Sequence, residues 1–519
     1  MRSIVFSLGL ALFLAVVLAA FQAGDLWRGG LAFSLVLAPG VLAIRALSAT
    51  DEARPFARQA ALASFLIRLA LGLGLYLGLS FYGYPNEQER AGYLFTDAFN
   101  RDRQAWTLAQ SERPLSDAFR RQFYADQYGG LLAISATLYR FLSPDAHRPL
   151  LVVALAAWVG ALGVLYFGRI AARLLPEGAA RGATWLFALY PEALFLGAAQ
   201  MREPFLLTFG AMMLFGALRQ REDKGGFPWE LGSGVIGLLL ISPGTALAFG
   251  VALGFWFWLE SGRRLPIWTW GAVVGIILLG ALIFALSVGG VSVRGGTFWE
   301  VIGEWARLSV RWSAYQLERS SGWVQKLFRE MPVGFQLPFV AGYGILQPIL
   351  PGAFVEPALP IRKAIAIVRA TSWYALLPLL LFAFRAVWKT PLPERRRWMA
   401  FLILSWGWIL IAALRGGGDQ WDNPRYRLFF LAFQVLLAAY AWQQRDAWWR
   451  RVLWIEGFAV LIFFQWYLSR YYHIGGRLSF FAMIGLIFAF ALLVLIGGWL
   501  WDRQNARTRG RKNKGREPS

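Results

Sequence analysis

Pro149-Leu-Leu-Val-Val-Ala-Leu-Ala-Ala-Trp-Val-Gly-Ala-Leu-Gly-Val-Leu-Tyr-Phe167 runs for nineteen positions without one charged residue. As a helix rising about 1.5 Å per residue, it is close to the length needed to cross about 30 Å of hydrocarbon. Similar runs recur along the chain, near 4–22, 31–48, 60–82, 182–199, 204–218, 230–242, 244–260, 266–288, 364–386, 398–414, 427–443, 452–468 and 478–500. Fourteen spans are therefore expected. Long runs without alternation exclude a strand-built outer-membrane barrel. Composition agrees, because 519 residues at 57% hydrophobic, 16% charged and mean hydropathy +0.48 describe a polytopic membrane protein rather than soluble domains.

Fifty-two Lys and Arg against 30 Asp and Glu give a net charge of +22, which in a soluble chain would point to nucleic acid. Here the cations fall between apolar runs, so the excess reads as topology and no nucleic-acid partner is expected. With the N-terminus inside, the short inner loops carry Arg54 and Arg58; Arg169, Arg173 and Arg181; Arg219, Arg221 and Lys224; Arg263 and Arg264; Arg395, Arg396 and Arg397; and Arg445, Arg450 and Arg451. That is the positive-inside pattern. A basic tail, 502–519, belongs inside too, against anionic lipid. The expected location is a plasma (inner) membrane, with both termini cytoplasmic. Phe21, three residues before a cleavage point after Ala23, argues against reading the first run as a removable signal. Zero cysteines exclude disulfides, a thiol nucleophile, zinc–thiolate sites and iron–sulfur ligation.

Two long segments, 84–148 and 289–363, both fall on the outer face. The first has balanced charge and no low-complexity bias, so it should be ordered. In the second, Trp305, Leu308, Trp312 and Tyr315 recur at helical spacing between Arg307, Arg311, Glu318 and Arg319, as in an amphipathic helix at the interface. The prolines from Pro332 to Pro360 then suit a re-entrant or mobile loop lining a cavity. The chain divides into an N-terminal hairpin (1–59), a main transmembrane region (60–450), a C-terminal hairpin (451–501) and the tail. No inverted repeat marks a transporter.

Three outer places carry residues with chemistry. A helix over 92–109 presents Asp97 and Asp102 just beyond a span. Either carboxylate suits a general base, and either can equally be a solvated acid paired with Arg101 or Arg103. Next, the spans 182–199 and 204–218 meet at Gln200, Arg202 and Glu203, a turn that also suits a simple helix cap; Glu192 lies within the preceding span, where a carboxyl is expensive unless paired. Pro191 offers it a freed carbonyl nearby. Third, Arg415-Gly-Gly-Gly-Asp-Gln-Trp-Asp-Asn-Pro-Arg-Tyr-Arg427 opens a span. Gly416 to Gly418 allow close backbone approach, Arg425 and Arg427 suit a phosphate, and Asp419 and Asp422 suit sugar hydroxyls or a divalent cation. Two carboxylates are weak evidence for metal, and the alternative is a flexible turn with snorkelling arginines. His147 and His473 are the only histidines, and no nucleophile elbow, P-loop or Rossmann fingerprint is present.

At these places the chain resembles the GT-C superfamily of polyprenyl-phosphate-sugar-dependent membrane glycosyltransferases, which includes protein O-mannosyltransferases and lipid A aminoarabinose transferases. The likeness spans roughly 60–450 and rests on the order of short features. Asp97 in Thr-Asp-Ala, and Asp102 with Trp106 and Ala109, each resemble the family's acidic site in the first large outer loop. Arg202-Glu203 resembles its later outer Arg–acid turn, and Arg425-Tyr426 its late outer Arg-Tyr. The family's adjacent acidic pair is missing, so the resemblance leaves the base as either Asp97 or Asp102. It implies inverting transfer of a sugar from polyprenyl phosphate to an acceptor hydroxyl, with Arg425, Arg202 and Lys363 as candidates to stabilise the departing phosphate. Two other classes stay open. One is an O-antigen ligase or polymerase using His147 or His473 with Arg148 or Arg477; the other is a non-catalytic transporter or flippase of lipid-linked sugars.

Overall fold

The computed structural model describes residues 2–50, 54–120, 122–123, 125–222, 228–261 and 332–514. Among them every regular element is a helix. Seven helices are long and apolar enough to cross a membrane: Leu26–Ser48, Pro55–Tyr82, Leu150–Leu174, Pro360–Lys389, Glu394–Gly416, Ala447–Tyr471 and Phe480–Gln504. The architecture is that of an all-helical, polytopic membrane protein.

Six of the other expected spans are helical but shorter or less apolar, and 266–288 lies outside the described residues. The run 182–199 is not continuous. It breaks into Glu177–Leu189 and Pro191–Gly197 at Tyr190, whose ψ of 116° leaves the helical region. Proline has no N–H to give to the preceding turn and crowds the residue before it out of the α region, which explains the break.

Leu150–Leu174 owes its uniform apolarity to its position: Leu26–Ser48, Pro55–Tyr82, Glu177–Leu189 and Glu203–Glu222 all pack against it. A helix apolar on every side is one buried on every side. Within this core Arg68 is 2% exposed. Its guanidinium donates to the Ser64 hydroxyl, which in turn donates to the Ala188 carbonyl at 3.0 Å. The side chain fills a gap left by two glycines, since a Cβ on Gly197 would lie 2.5 Å from Arg68 Nε and one on Gly160 would lie 3.1 Å from it.

The segment 84–148 is largely helical, with Glu87–Arg90, Thr96–Gln110 and Gly130–Leu142 as its α-helices. The helix expected from Gly92 starts four residues later, because Gly92 has φ +83° and its Cα lies against the Tyr76 backbone. In the second long segment the amphipathic stretch 297–331 lies outside the described residues. The proline-rich part that follows is not a loose loop: Val333–Leu346 packs on Glu394–Gly416, and Leu350–Val355 packs on Ala447–Tyr471. The last helix, Phe480–Lys514, runs through much of the expected tail; its 35 residues, about 52 Å at 1.5 Å each, exceed the hydrocarbon thickness.

Apart from Arg369–Glu192, which lies within spans, the described ion pairs between helices sort by end of the bundle. Arg173–Glu222, Arg219–Glu230, Glu260 with both Arg221 and Arg397, Asp446 with both Arg385 and Lys389, and Arg451–Asp502 join segments expected inside. Arg103–Glu87, Arg362–Glu89 and Arg425–Asp97 join segments expected outside.

Candidate functional site

The three segments expected on the outer face meet at Arg425. Its Nε donates to Glu203 Oε1 at 2.5 Å and its NH1 to Asp97 Oδ2 at 2.6 Å, with Asp422 Oδ1 at 3.7 Å. The loop before it explains how the side chain is aimed. Gly417 takes φ +50° after the end of Glu394–Gly416, and Gly416 packs so closely on Asn423 that a Cβ would lie 2.7 Å from its Cα. Asp419 Oδ1 accepts from the backbone N–H of Trp421 (2.6 Å) and Asp422 (2.7 Å), closing a turn from which the short helix Asp422–Arg427 starts. Gly416 and Gly417 thus shape the loop's own turn, and Asp419 Oδ1 is bonded to the backbone.

Burial and charge act in opposite directions on the carboxyls. At Asp97 burial raises the pKa, but the Arg425 charge and hydrogen bond, with Arg101 and Arg202 behind them, outweigh it and hold the group below the ordinary aspartate range. Asp422 goes the other way. Burial, with Asp419, Asp97 and Glu203 nearby, outweighs Arg425 and pushes it up to about 6. For Arg425 burial is overcome by Glu203 and Asp97, which hold it above its usual range.

Two more arginines flank this centre. Arg101 is buried and donates to the carbonyl of Gln200, whose side chain donates to Pro149 O at 2.9 Å; Gln200 holds φ +53° in the tight turn. Arg202 lies over the Tyr128 ring at 5.6 Å, and its buried Nε has no hydrogen-bond partner. Glu203 Oε2, also buried, is likewise unpartnered.

Asp102 does not join this cluster. It is 1% exposed and forms a second one, accepting from Tyr93 Oη at 2.5 Å and from Tyr139 Oη, with His147 Nε2 at 2.6 Å. Trp106 stacks on His147 at 5.0 Å. The two candidate bases therefore differ in kind: Asp97, with its side chain 57% exposed, reaches solvent, while Asp102 is enclosed.

Glu192 is paired as its position demands, with Arg369 donating from Nε (2.5 Å) and NH2 (2.8 Å). The partner is thus a guanidinium from Pro360–Lys389, not the carbonyl freed by Pro191. Arg369 lies 4.3 Å from the Trp421 ring and Arg362 lies 5.1 Å from it, while Arg362 donates to Glu89 at 2.6 Å. Lys363, next to Arg362, is half-buried and forms no ion pair among the described residues. Arg427 is turned away from the site, donating to the carbonyls of Ile345 (3.0 Å) and Gln347 and stacking on Trp373 at 3.6 Å. Tyr426 lies beneath Arg415 at 4.9 Å, and its carbonyl accepts from Trp408.

Sequence reasoning misses Arg369, Arg362 and the tyrosines on Asp102. Arg369 carries the only early signal, a cation inside an apolar span that answers the unpaired Glu192. Arg148 is buried on Asp145 through two 2.8 Å hydrogen bonds, and exposed His473 contacts Arg477 at 2.9 Å. Among the described residues no group of three or more His, Asp or Glu side chains is placed to hold a metal ion. No family model matches the chain, and neither a curated protein nor a solved structure was found to match it.

Proposed function

We propose that this protein is a membrane glycosyltransferase moving a sugar from a polyprenyl-phosphate donor to an acceptor hydroxyl, with inversion. It acts at the outer face of a plasma (inner) membrane, in a bundle of about fourteen spans with both termini cytoplasmic. The observation that carries the reading is the meeting of Asp97, Glu203 and Arg425, from segments more than a hundred residues apart, at one end of the bundle beside Arg101 and Arg202. Apolar spans accommodate a lipid tail. Arg202, whose buried Nε has no hydrogen-bond partner among the described residues, receives the departing phosphate, and the Glu203–Arg425–Asp97 chain fixes the site's geometry. The base is a carboxylate of the first outer segment, Asp97 directly or Asp102 from behind Tyr93.

The test is a transfer assay in reconstituted membranes supplied with polyprenyl-phosphate hexoses. Wild type should release polyprenyl phosphate, and one of Asp97→Asn and Asp102→Asn should abolish release while leaving the protein folded. Full activity in both variants would sink the mechanism.

A further inference from the structure

The last carbonyls of a helix have no partner inside it. At the end of Val333–Leu346 they are taken by side chains from elsewhere. Gly344 O accepts from Asn423 Nδ2 at 2.9 Å, Ile345 O from Trp373 Nε1 at 2.8 Å and Arg427 NH1 at 3.0 Å, Leu346 O from Tyr374 Oη at 3.3 Å, and Gln347 O from Arg427 NH2. Two of these donors, Asn423 and Arg427, stand on the short helix Asp422–Arg427, and both are buried. A guanidinium suits the carbonyl end of a helix. That end is itself seated, since a Cβ on Gly344 would lie 2.8 Å from the Ala413 Cα.

Four residues apart, Asn423 and Arg427 share one face of the short helix, about 40° from each other, whereas Arg425 stands about 160° from each. One face therefore grips Val333–Leu346, and the opposite face presents Arg425 to Glu203 Oε1 at 2.5 Å and Asp97 Oδ2 at 2.6 Å. Side-chain tips stand about 5–6 Å from a helix axis, so a turn of about 20° would sweep the guanidinium by about 2 Å and part these contacts. We propose that Asn423 and Arg427 are positioning residues, which by holding the end of Val333–Leu346 set the rotation of Asp422–Arg427 and keep Arg425 on Glu203 and Asp97. The segment after Pro332 thus shapes the site without contributing a residue to it. The effect on transfer rests on the sugar-transfer reading above; the grip on Arg425 does not.

The experiment measures transfer in reconstituted membranes, supplied with polyprenyl-phosphate hexoses, for wild type, Asn423→Ala, Arg427→Met and Arg427→Lys. Asn423→Ala and Arg427→Met should each lose at least about tenfold in kcat, with donor KM changed by less than about threefold, because a misplacement of about 1 Å is felt mainly in the reacting geometry. Lysine can still donate to a helix-terminal carbonyl, so Arg427→Lys should keep more kcat than Arg427→Met. Wild-type kcat in both Asn423→Ala and Arg427→Met overturns the positioning role and leaves sugar transfer standing. Wild type that releases no polyprenyl phosphate overturns sugar transfer itself, and thermal unfolding in detergent then judges the positioning alone. Arg427 and Glu203 bond to different groups, and the effects of independent sites add. If Arg425 links them, Arg427→Met frees it, and Glu203→Gln then removes a carboxylate already stranded. Their losses in Tm should combine to less than the sum, while those of Arg427→Met and Glu230→Gln, a residue paired with Arg219 at the other end of the bundle, should add. Simple addition in the first pair overturns the proposal, and Asn423→Ala replaces Arg427→Met in the cycle if the latter does not fold.

Discussion

Arg425 uses separate nitrogens of one guanidinium for two carboxylates that share no sequence neighbourhood, Nε for Glu203 at 2.5 Å and NH1 for Asp97 at 2.6 Å. Glu203 is the less exposed partner, at 0%. Arg425→Ala strands that carboxylate in a dry site, and breaking such a pair costs on the order of 3–5 kcal/mol. Asp97→Asn, at the wetter end, should cost well under half as much. Thermal unfolding in detergent checks the ranking, and equal losses would contradict it.

The Glu192–Arg369 pair tests whether a buried ionic contact is needed as such. Glu192→Leu and Arg369→Met should each destabilise by about 3–5 kcal/mol, because each leaves a buried charge alone. The double variant should recover most of the loss, since a well-packed apolar pair often replaces a buried ion pair at little net cost. Losses that simply add would show that the two side chains are not coupled.

The glycine slot around Arg68 makes a steric prediction. Gly197→Ala places a methyl 2.5 Å from Arg68 Nε and 2.7 Å from its Cδ, and should cost about 1–3 kcal/mol by overpacking. Gly178→Ala meets nothing within 4 Å on the Glu177–Leu189 helix and should be neutral or stabilising by up to about 1 kcal/mol. Paired unfolding curves decide it; the order reversed would refute the slot.

Asp97 and Asp422 give opposite pH signatures. Asp97 has a depressed folded pKa, so its stabilising effect is present above the unfolded value of about 3.9 and is lost as pH falls through the folded one. Asp422, raised to about 6, stabilises the fold fully below the unfolded value and loses that effect as pH rises through about 6. Asp422→Asn should therefore raise Tm at pH 8 and leave it unchanged at pH 4. A gain at pH 4 alone would reverse the assignment.

The expected topology is testable because the chain has no cysteine, so an introduced one is the sole thiol. A membrane-impermeant reagent should label Gln110→Cys in intact cells and Gly178→Cys only after permeabilisation. The opposite pattern would invert the protein and place the Arg425 cluster inside.

How much of this is legible in the sequence depends on contrast. Asp97, Glu203 and Arg425 stand out as charges beside apolar spans, and their shared face follows from counting spans between basic loops. Their mutual distances do not follow, because nothing local says that Arg425 turns toward Glu203 while Arg427, two residues on, turns to the Ile345 and Gln347 carbonyls. Asp97 and Asp102 look alike as letters five apart on one helix. What separates them is Tyr93, Tyr139 and His147 closing over one and not the other, a long-range arrangement that spacing cannot carry. The break at Tyr190-Pro191 is written in the proline, whereas hydropathy alone averages across it.

Arg68 in its glycine gap works like a key in a lock. Turning Pro55–Tyr82 by one residue, about 100°, would withdraw the guanidinium from the space that Gly160 and Gly197 leave and drive it into neighbouring side chains. The helices that carry those three residues are thereby indexed to one another and turn only together.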